Sequence, residues 1–417
     1  MRFTIALGWL TAALVVHALP AQVPDQLRFG AALSESSDTF AALDSPLLAS
    51  IPAEHRPELA SYLATYDEPR LVQVEGEAAP RWITEGDKAL LVWAGQTRFV
   101  DITDADYTLI TDNAKEDKYP AHLSRKEKQL RPLFDRIDLG AMRQFLRRFT
   151  DFHTRHYRST HGVESQQFLL NHLKQLHIEH NPQANLTLIE FEHSSWAQKS
   201  IILRWSPRSS TAQDAPVVIL SAHQDSTGTL PFMRAPGADD DASGTVALVE
   251  TVSVLLQSGW EPTERAVEWM WFSAEEGGLL GSGEVVKRYR EQGREIYAMY
   301  HMDVTAYLKP GTEPVIGLIT DGVSSALTDY IELLIKEYAT LPVTRTQCGY
   351  ACSDHGSFTR AGYPSACLSE GRFADSNPHM HTAQDVIDRP EYSIEHISEF
   401  VRTGLGYVVE LAGGRVH

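Results

Sequence analysis

The spacing of apolar residues changes character at about Leu139. From there to the carboxyl end, short continuous apolar runs alternate with longer stretches of helical period. Val163–Leu176 carries Phe168, Leu169, Leu173 and Leu176 on one side, which predicts a helix burying one face. Val217–Leu220 is apolar throughout, as expected of a strand covered on both faces. The pattern then predicts a helix over Thr245–Leu256 and strands over Ala266–Phe272, Ile296–Met302 and Val315–Thr320. A helix at Leu327–Tyr338, a short strand at Tyr363–Leu368 and a terminal helix at Tyr392–Leu411 complete the series. Strands interleaved with helices argue for an α/β three-layer sandwich around a mixed, largely parallel sheet. The stretch from 22 to about 112 is weakly patterned, with β-like runs at Leu71–Val74, Ala89–Trp93 and Thr97–Ile102. Asp112–Arg131 is rich in charge and turn formers, among them Lys115, Lys118, Arg125, Lys126 and Lys128. Exposed connectors of that composition are where proteases cut.

Outside these elements, the amino terminus reads as an address. Arg2 precedes an apolar run from Phe3 to Val16, with small residues at Ala18 and Ala21 after it. This is the layout of a cleaved secretory signal, too short to span a bilayer. The expected organisation is a signal at 1–21, an N-terminal domain with linker at 22–130, and the main α/β domain at 131–417. The protein is expected to be extracellular or periplasmic. With 55 acidic against 37 basic residues the net charge is −18, which argues against nucleic acid or anionic membrane as partners. Part of that acidity could instead build a cation site. Export also makes the cysteines informative. Cys348 and Cys352, in Cys-Gly-Tyr-Ala-Cys, can bridge across one tight turn or pack as two core thiols; a bridge is the expectation. Cys367 is left over as a small buried side chain.

Five candidate metal ligands fall at strand ends or in the loops that follow. They are His223 in Ser-Ala-His-Gln-Asp-Ser, the triple-Asp loop Pro236–Gly244, the pair Glu275-Glu276, Asp303, and His381 in Pro-His-Met-His-Thr. Singly, each has an ordinary structural explanation: a hydrogen-bonded histidine, a helix cap, a wet acidic surface. Together they share one kind of place in an α/β domain, and loops at strand carboxyl ends converge on one crevice. Donors so crowded need cations to neutralise them. Imidazole and carboxylate without thiolate suit a hydrolytic zinc site. Five donors exceed the three of a usual single catalytic zinc, so a pair of ions ~3.5–4 Å apart fits better.

The motifs resemble the bacterial leucyl aminopeptidase family, secreted enzymes with two co-catalytic zinc ions. The resemblance runs through Ser221–Ser226, Ala235–Gly244, Ala274–Gly277 with Gly281-Ser282, His301–Thr305, Cys348–His355 and Asn377–Asp385. It covers about Leu139 to Leu411. It implies a zinc exopeptidase-like fold that removes the N-terminal residue of peptides or proteins. His223 and Asp303 would hold one zinc, and Glu276 and His381 the other. Asp240 would bridge the two, with a cis bond to Asp241. Glu275 would be the general base, Tyr350 would donate to the tetrahedral intermediate, and Asp225 would accept from the second nitrogen of His223. Residues 22–130 would then be a pro-domain that aids folding or blocks the site, an accessory domain being the alternative. A monomer is expected.

The side-chain pocket departs from the family. Bulky aromatic positions appear here as Ser369 and Ser376, while Val304, Ile319, Phe373 and Met380 keep an apolar lining. That implies a roomier, more polar pocket, admitting leucine-like or other large side chains. Competing readings are a dizinc carboxypeptidase or deacylase, a glutaminyl cyclase-like acyltransferase with a single zinc, and a non-enzymatic receptor-like module. Asn185-Leu-Thr187 is an N-glycosylation sequon.

Overall fold

The computed structural model describes residues 46–104, 119–209 and 215–416. The expected secretory signal at 1–21, residues 22–45 and the expected connector residues 112–118 lie outside these. Near the N-terminus, helices α1 (Pro46–Ser50) and α2 (Arg56–Thr65) precede strands β1 (Pro69–Val74) and β2 (Arg81–Thr84), helix α3 (Asp87–Trp93) and strand β3 (Phe99–Asp101). The strands make an antiparallel sheet in the order β2-β1-β3. Its core is small: Val72, Val74, Ile83, Leu91 and Phe99.

Two expectations are corrected in this region. Ala89–Trp93, read as β-like, is helical. Thr84 and Asp87 hydrogen-bond each other's backbone amides at 2.9 and 3.1 Å, a start signal that outweighs the β-prone Leu-Leu-Val-Trp run. The stretch read as an exposed connector up to Arg131 is docked from Tyr119 onward. Tyr119 donates to the carbonyl of Tyr297 at 2.8 Å, and Arg125 donates to the carbonyls of Val409 and Gly414. Helix α4 (Glu127–Phe134) crosses the boundary drawn at 130 and buries Leu130 and Leu133 in the main core.

In the main domain, helices α5 (Leu139–Phe149) and α6 (Thr160–His180) lead into β4 (Leu186–Phe191), β5 (Ser200–Trp205) and β6 (Val217–His223). There follow α7 (Ala242–Ser258), β7 (Val267–Phe272), α8 (Leu280–Glu291), β8 (Ile296–Met302) and β9 (Ile316–Ile319). The chain continues with α9 (Ser325–Tyr338), β10 (Val343–Thr346), α10 (His355–Arg360), β11 (Ser365–Ser369) and α11 (Ile394–Ala412). The sheet order is β10-β9-β11-β8-β6-β7-β5-β4. Strands β7, β6, β8 and β11 are mutually parallel, whereas β5 runs antiparallel to β7, β4 to β5, and β9 to β11. The expected mixed, largely parallel three-layer sandwich is therefore present.

Alternation along the strands assigns the two faces. Val218, Leu220 and Ala222 of β6 join the larger core under α4–α7, α9 and α11, while Val217 and Ile219 face the smaller core under α8 and α10. Helix α7 is buried nearly all round, which explains its lack of a polar face. Strand β6 lies between β7 and β8, so successive connections leave it on opposite sides. Such a reversal opens a crevice at the strands' carboxyl ends.

Candidate metal centre and substrate cleft

Each donor reaches that crevice from a strand end or a loop. His223 is the last residue of β6, Glu275 and Glu276 follow β7, and Asp303 follows β8. Asp240 precedes α7 in a loop that needs Gly237 at φ 51°, where a Cβ would lie 2.3 Å from the Asp240 carbonyl oxygen. The Asp240–Asp241 bond is cis. His381 comes from the loop after β11. Ala274, Leu279, Val304 and His381 have positive φ (58°, 64°, 50° and 58°), and all border the donors. Non-glycine residues held this way cost on the order of 1–3 kcal/mol each and gather at functional sites.

Asp240 stands at the centre. Its Oδ1 is 3.1 Å from Nε2 of His223, and its Oδ2 is 3.0 Å from Nε2 of His381. Each histidine has its own second carboxylate, Asp303 at 3.5 Å from His223 and Glu276 at 3.0 Å from His381. The five expected ligands thus form two His–carboxylate groups sharing one carboxylate. Both ring nitrogens of His223 are buried and make no hydrogen bond. A buried imidazole left unpaired beside two carboxylates fits a divalent cation better than it fits a hydrogen-bond network.

The charge balance agrees. Burial opposes a charge on His223, yet Asp303 and its other carboxylate neighbours raise its pKa well above the usual value. For His381 burial is likewise outweighed, chiefly by Glu276. Burial, reinforced by the charge of Asp240, pushes Glu276 up to about 7. Two histidines that would otherwise hold protons among ionised carboxylates mark a place that a cation can take over. Burial also holds the Glu275 carboxyl well above the carboxylate range, with Glu276 and Asp303 adding to it. Burial and the charge of Glu275 raise the Tyr350 hydroxyl, so it remains a proton donor.

One expected contact is absent. Oδ1 of Asp225 is 3.6 Å from Nδ1 of His223, too far for the hydrogen bond assigned to it. Asp225 accepts instead from the backbone amides of Glu275 (3.1 Å) and Glu276 (3.2 Å), fixing the loop that carries both glutamates. Nothing in the local motif distinguishes these two roles.

Other supporting residues were given no role by sequence reasoning. Asp241 lies close enough to His223 and Asp303 for their ligand atoms to fall within 4.8 Å. Its oxygens, however, already accept from the amides of His223, Gly244 and Val304. Asp385 accepts from the amides of Asp239 and Asp240. The fully buried Arg155 donates to the carbonyls of Gln224, Pro236 and Gly237. The triple Asp and the Gln-Asp after His379-Met-His hinted at two of these; Arg155 carried no local signal.

Beside the donors opens a cavity of about 230 Å³. Val304, Ile319, Ser369, Phe373, Ser376 and Met380, the six expected pocket residues, all line it. Tyr350 and Glu275 face it too. Cys348 and Cys352 are bridged, with Cα atoms 6.0 Å apart, and Cys367 is free and buried at the cavity wall.

With the donors and cleft established, the comparisons with known proteins become decisive. The sequence model of Peptidase family M28 matches residues 200–403. A probable aminopeptidase of Saccharomyces cerevisiae is 38% identical over 358 residues, 83% of this chain and 93% of that one. Leucine aminopeptidase 1 of Coccidioides posadasii is 38% identical over 375 residues, covering 87% and 92%.

This chain belongs to peptidase family M28.

It is accordingly a metallo-aminopeptidase, a hydrolase of peptide bonds. The M28 fold is shared with the LapA aminopeptidase of Legionella pneumophila, at a TM-score of 0.71 and 24% identity over 84% of this chain and 96% of that one. The two sequence relatives named above are fungal, whereas LapA is bacterial. The comparisons support the expected aminopeptidase family at the level of M28, without assigning a bacterial branch. No helix among the described residues is long and apolar enough to cross a membrane.

Proposed function

We propose that this chain is an exported aminopeptidase that holds two zinc ions and releases leucine-like or other large residues from peptide and protein N-termini. The observation carrying this reading is Asp240, whose two oxygens reach toward two different histidines, each with its own second carboxylate. One shared carboxylate between two donor groups is the arrangement a paired-ion site requires. The names of the fungal relatives support a leucine-like preference. The hydroxyls of Ser369 and Ser376 among apolar neighbours support tolerance of larger side chains.

In this reading His223 and Asp303 would hold one ion, Glu276 and His381 the other, with Asp240 contributing to both. Zinc, when bound, supplies Lewis acidity toward the scissile carbonyl and lowers the pKa of water into the neutral range. Glu275 takes a proton from the attacking water and returns it to the leaving amine, so that no net proton is consumed. Its side chain lines the cavity beside Glu276 and Asp303, where it can reach both the attacking water and the leaving amine. Tyr350 keeps its proton and donates a hydrogen bond to the oxyanion as the carbonyl becomes tetrahedral. Asp225 holds the backbone of both glutamates in register.

The test is Glu275→Gln, with zinc counted by elemental analysis. We expect both ions to be retained and turnover to fall about 10²–10⁴-fold. Substantial residual turnover would remove Glu275 from this role. A panel of aminoacyl amides would define the preferred side chain, and peptides with a blocked amino group should be inert. Cleavage of blocked peptides would favour a deacylase.

A further inference from the structure

The N-terminal sheet reaches the cleft from both sides. On one wall, Nζ of Lys88 donates to the carbonyl of Gly277 at 2.8 Å, and the amide of Asp101 donates to the carbonyl of Gly278 at 3.0 Å. These bonds grip the loop that carries Glu275 and Glu276. On the opposite wall, Glu75 stands so near Gly349 that a Cβ there would lie 2.9 Å from its Oε1. Between them Thr97, Arg98 and Phe99 line the substrate cavity together with the metal donors. The Arg98 guanidinium sits 4.9 Å from the ring centre of Phe373 and 6.0 Å from that of Tyr350. Among the described residues, no side chain of 46–104 is hydrogen-bonded to any of the five donors. The segment is a rim of the cleft.

What fastens it is buried and ionic. Glu85 and Asp101 are fully covered, and Lys88 lies between them at 2.8 and 2.7 Å. Across the junction Arg158 and Tyr157 of the main domain bind Glu85 at 3.0 and 2.5 Å. Separation would leave Arg158 and Tyr157 without that carboxylate and open the cluster to water.

We infer that residues 46–104 remain in place as a wall of the cleft, and that Arg98 is a specificity-determining residue, biasing the pocket against basic N-terminal side chains and toward acidic ones. The inference rests on the aminopeptidase reading. Arg98 lines the cavity together with Phe373, Ser369 and Ser376, whereas Glu75, its partner at 3.0 Å, is not among the lining residues. Because the Arg98 side chain is 48% exposed, solvent moderates its field, and the bias is one of preference and not of exclusion.

The experiment uses the full-length zinc-loaded protein and its Arg98→Lys, Arg98→Gln and Arg98→Glu variants. Values of kcat/KM are measured for lysyl, glutamyl and leucyl p-nitroanilides at low and high salt. We expect Arg98→Gln to raise the lysyl-to-glutamyl ratio about fivefold at low salt, with the gain shrinking as salt is added. Arg98→Glu should raise it further, and Arg98→Lys should keep the parental ratio. A ratio that does not move, or three substrates that change in parallel, overturns the assignment of Arg98. Proteolysis between 104 and 119 followed by gel filtration tests the wall itself: the fragments should co-elute with activity unchanged. Release of the N-terminal piece with faster turnover of every substrate would make it an inhibitor and overturn the inference. A wild-type protein inert toward all three substrates would sink the aminopeptidase reading and this inference with it. A ratio that fails to move in an active enzyme sinks the inference alone.

Discussion

Glu85 offers a quantitative check on the junction between the N-terminal sheet and the main domain. Its carboxylate is buried, 2.8 Å from Lys88 and 3.0 Å from Arg158, and accepts from Tyr157. Burial alone would raise its pKa, but Lys88 and Arg158 outweigh this and lower it from 4.5 to about 2. A depressed carboxyl stabilises the fold above its unfolded pKa and loses that contribution as pH falls toward the folded value. The shift of roughly 2.5 units corresponds to about 3 kcal/mol at neutral pH. At pH 3.5 the same shift leaves about 2 kcal/mol, because the unfolded chain is by then mostly protonated. Glu85→Gln keeps the shape and one acceptor while deleting the charge. It should therefore cost about 3 kcal/mol at pH 7 and about 2 kcal/mol at pH 3.5. Urea unfolding of wild type and variant at the two pH values, followed by tryptophan fluorescence, gives the difference with other titrations cancelled. A deficit below about 0.5 kcal/mol at pH 7, or one that grows as pH falls, would refute the reasoning.

Three further outcomes follow from the site. Tyr350→Phe should lower kcat about 10–10²-fold with zinc content unchanged, as steady-state kinetics and elemental analysis would show. Prolonged chelation should abolish activity and lower the melting temperature, because the donors bind metal only when folded together; added zinc should restore both. Arg155→Met should destabilise the protein by about 3–5 kcal/mol and weaken metal retention, since it strands the buried carbonyls of Gln224, Pro236 and Gly237. Thermal unfolding and zinc titration would check both effects.

Much of the main domain was readable because its strands are buried on both faces. Val217–Leu220 had to be continuously apolar, and that run length is a local property. The antiparallel strands β4 and β5 were not recognised. Leu186–Phe191 is only partly covered and carries Thr187 and Glu190, so its apolar signal is diluted. Helix α3 was misread because its apolar run is β-prone, while the Thr84–Asp87 pairing that starts it shows only once the turn is folded.

From the sequence alone came the donor types and their places after strands, because catalytic loops must follow strand ends and chemistry needs particular side chains; the pocket residues came from the family resemblance. The sharing of Asp240 was already implied by that resemblance, whereas tertiary structure alone decided that Asp225 serves the backbone of two glutamates and that Arg98 stands at the cleft. Those facts depend on distances between segments far apart in the chain. Ligand identity is written residue by residue, whereas partnership is fixed only when the sheet order brings β6, β7 and β8 side by side.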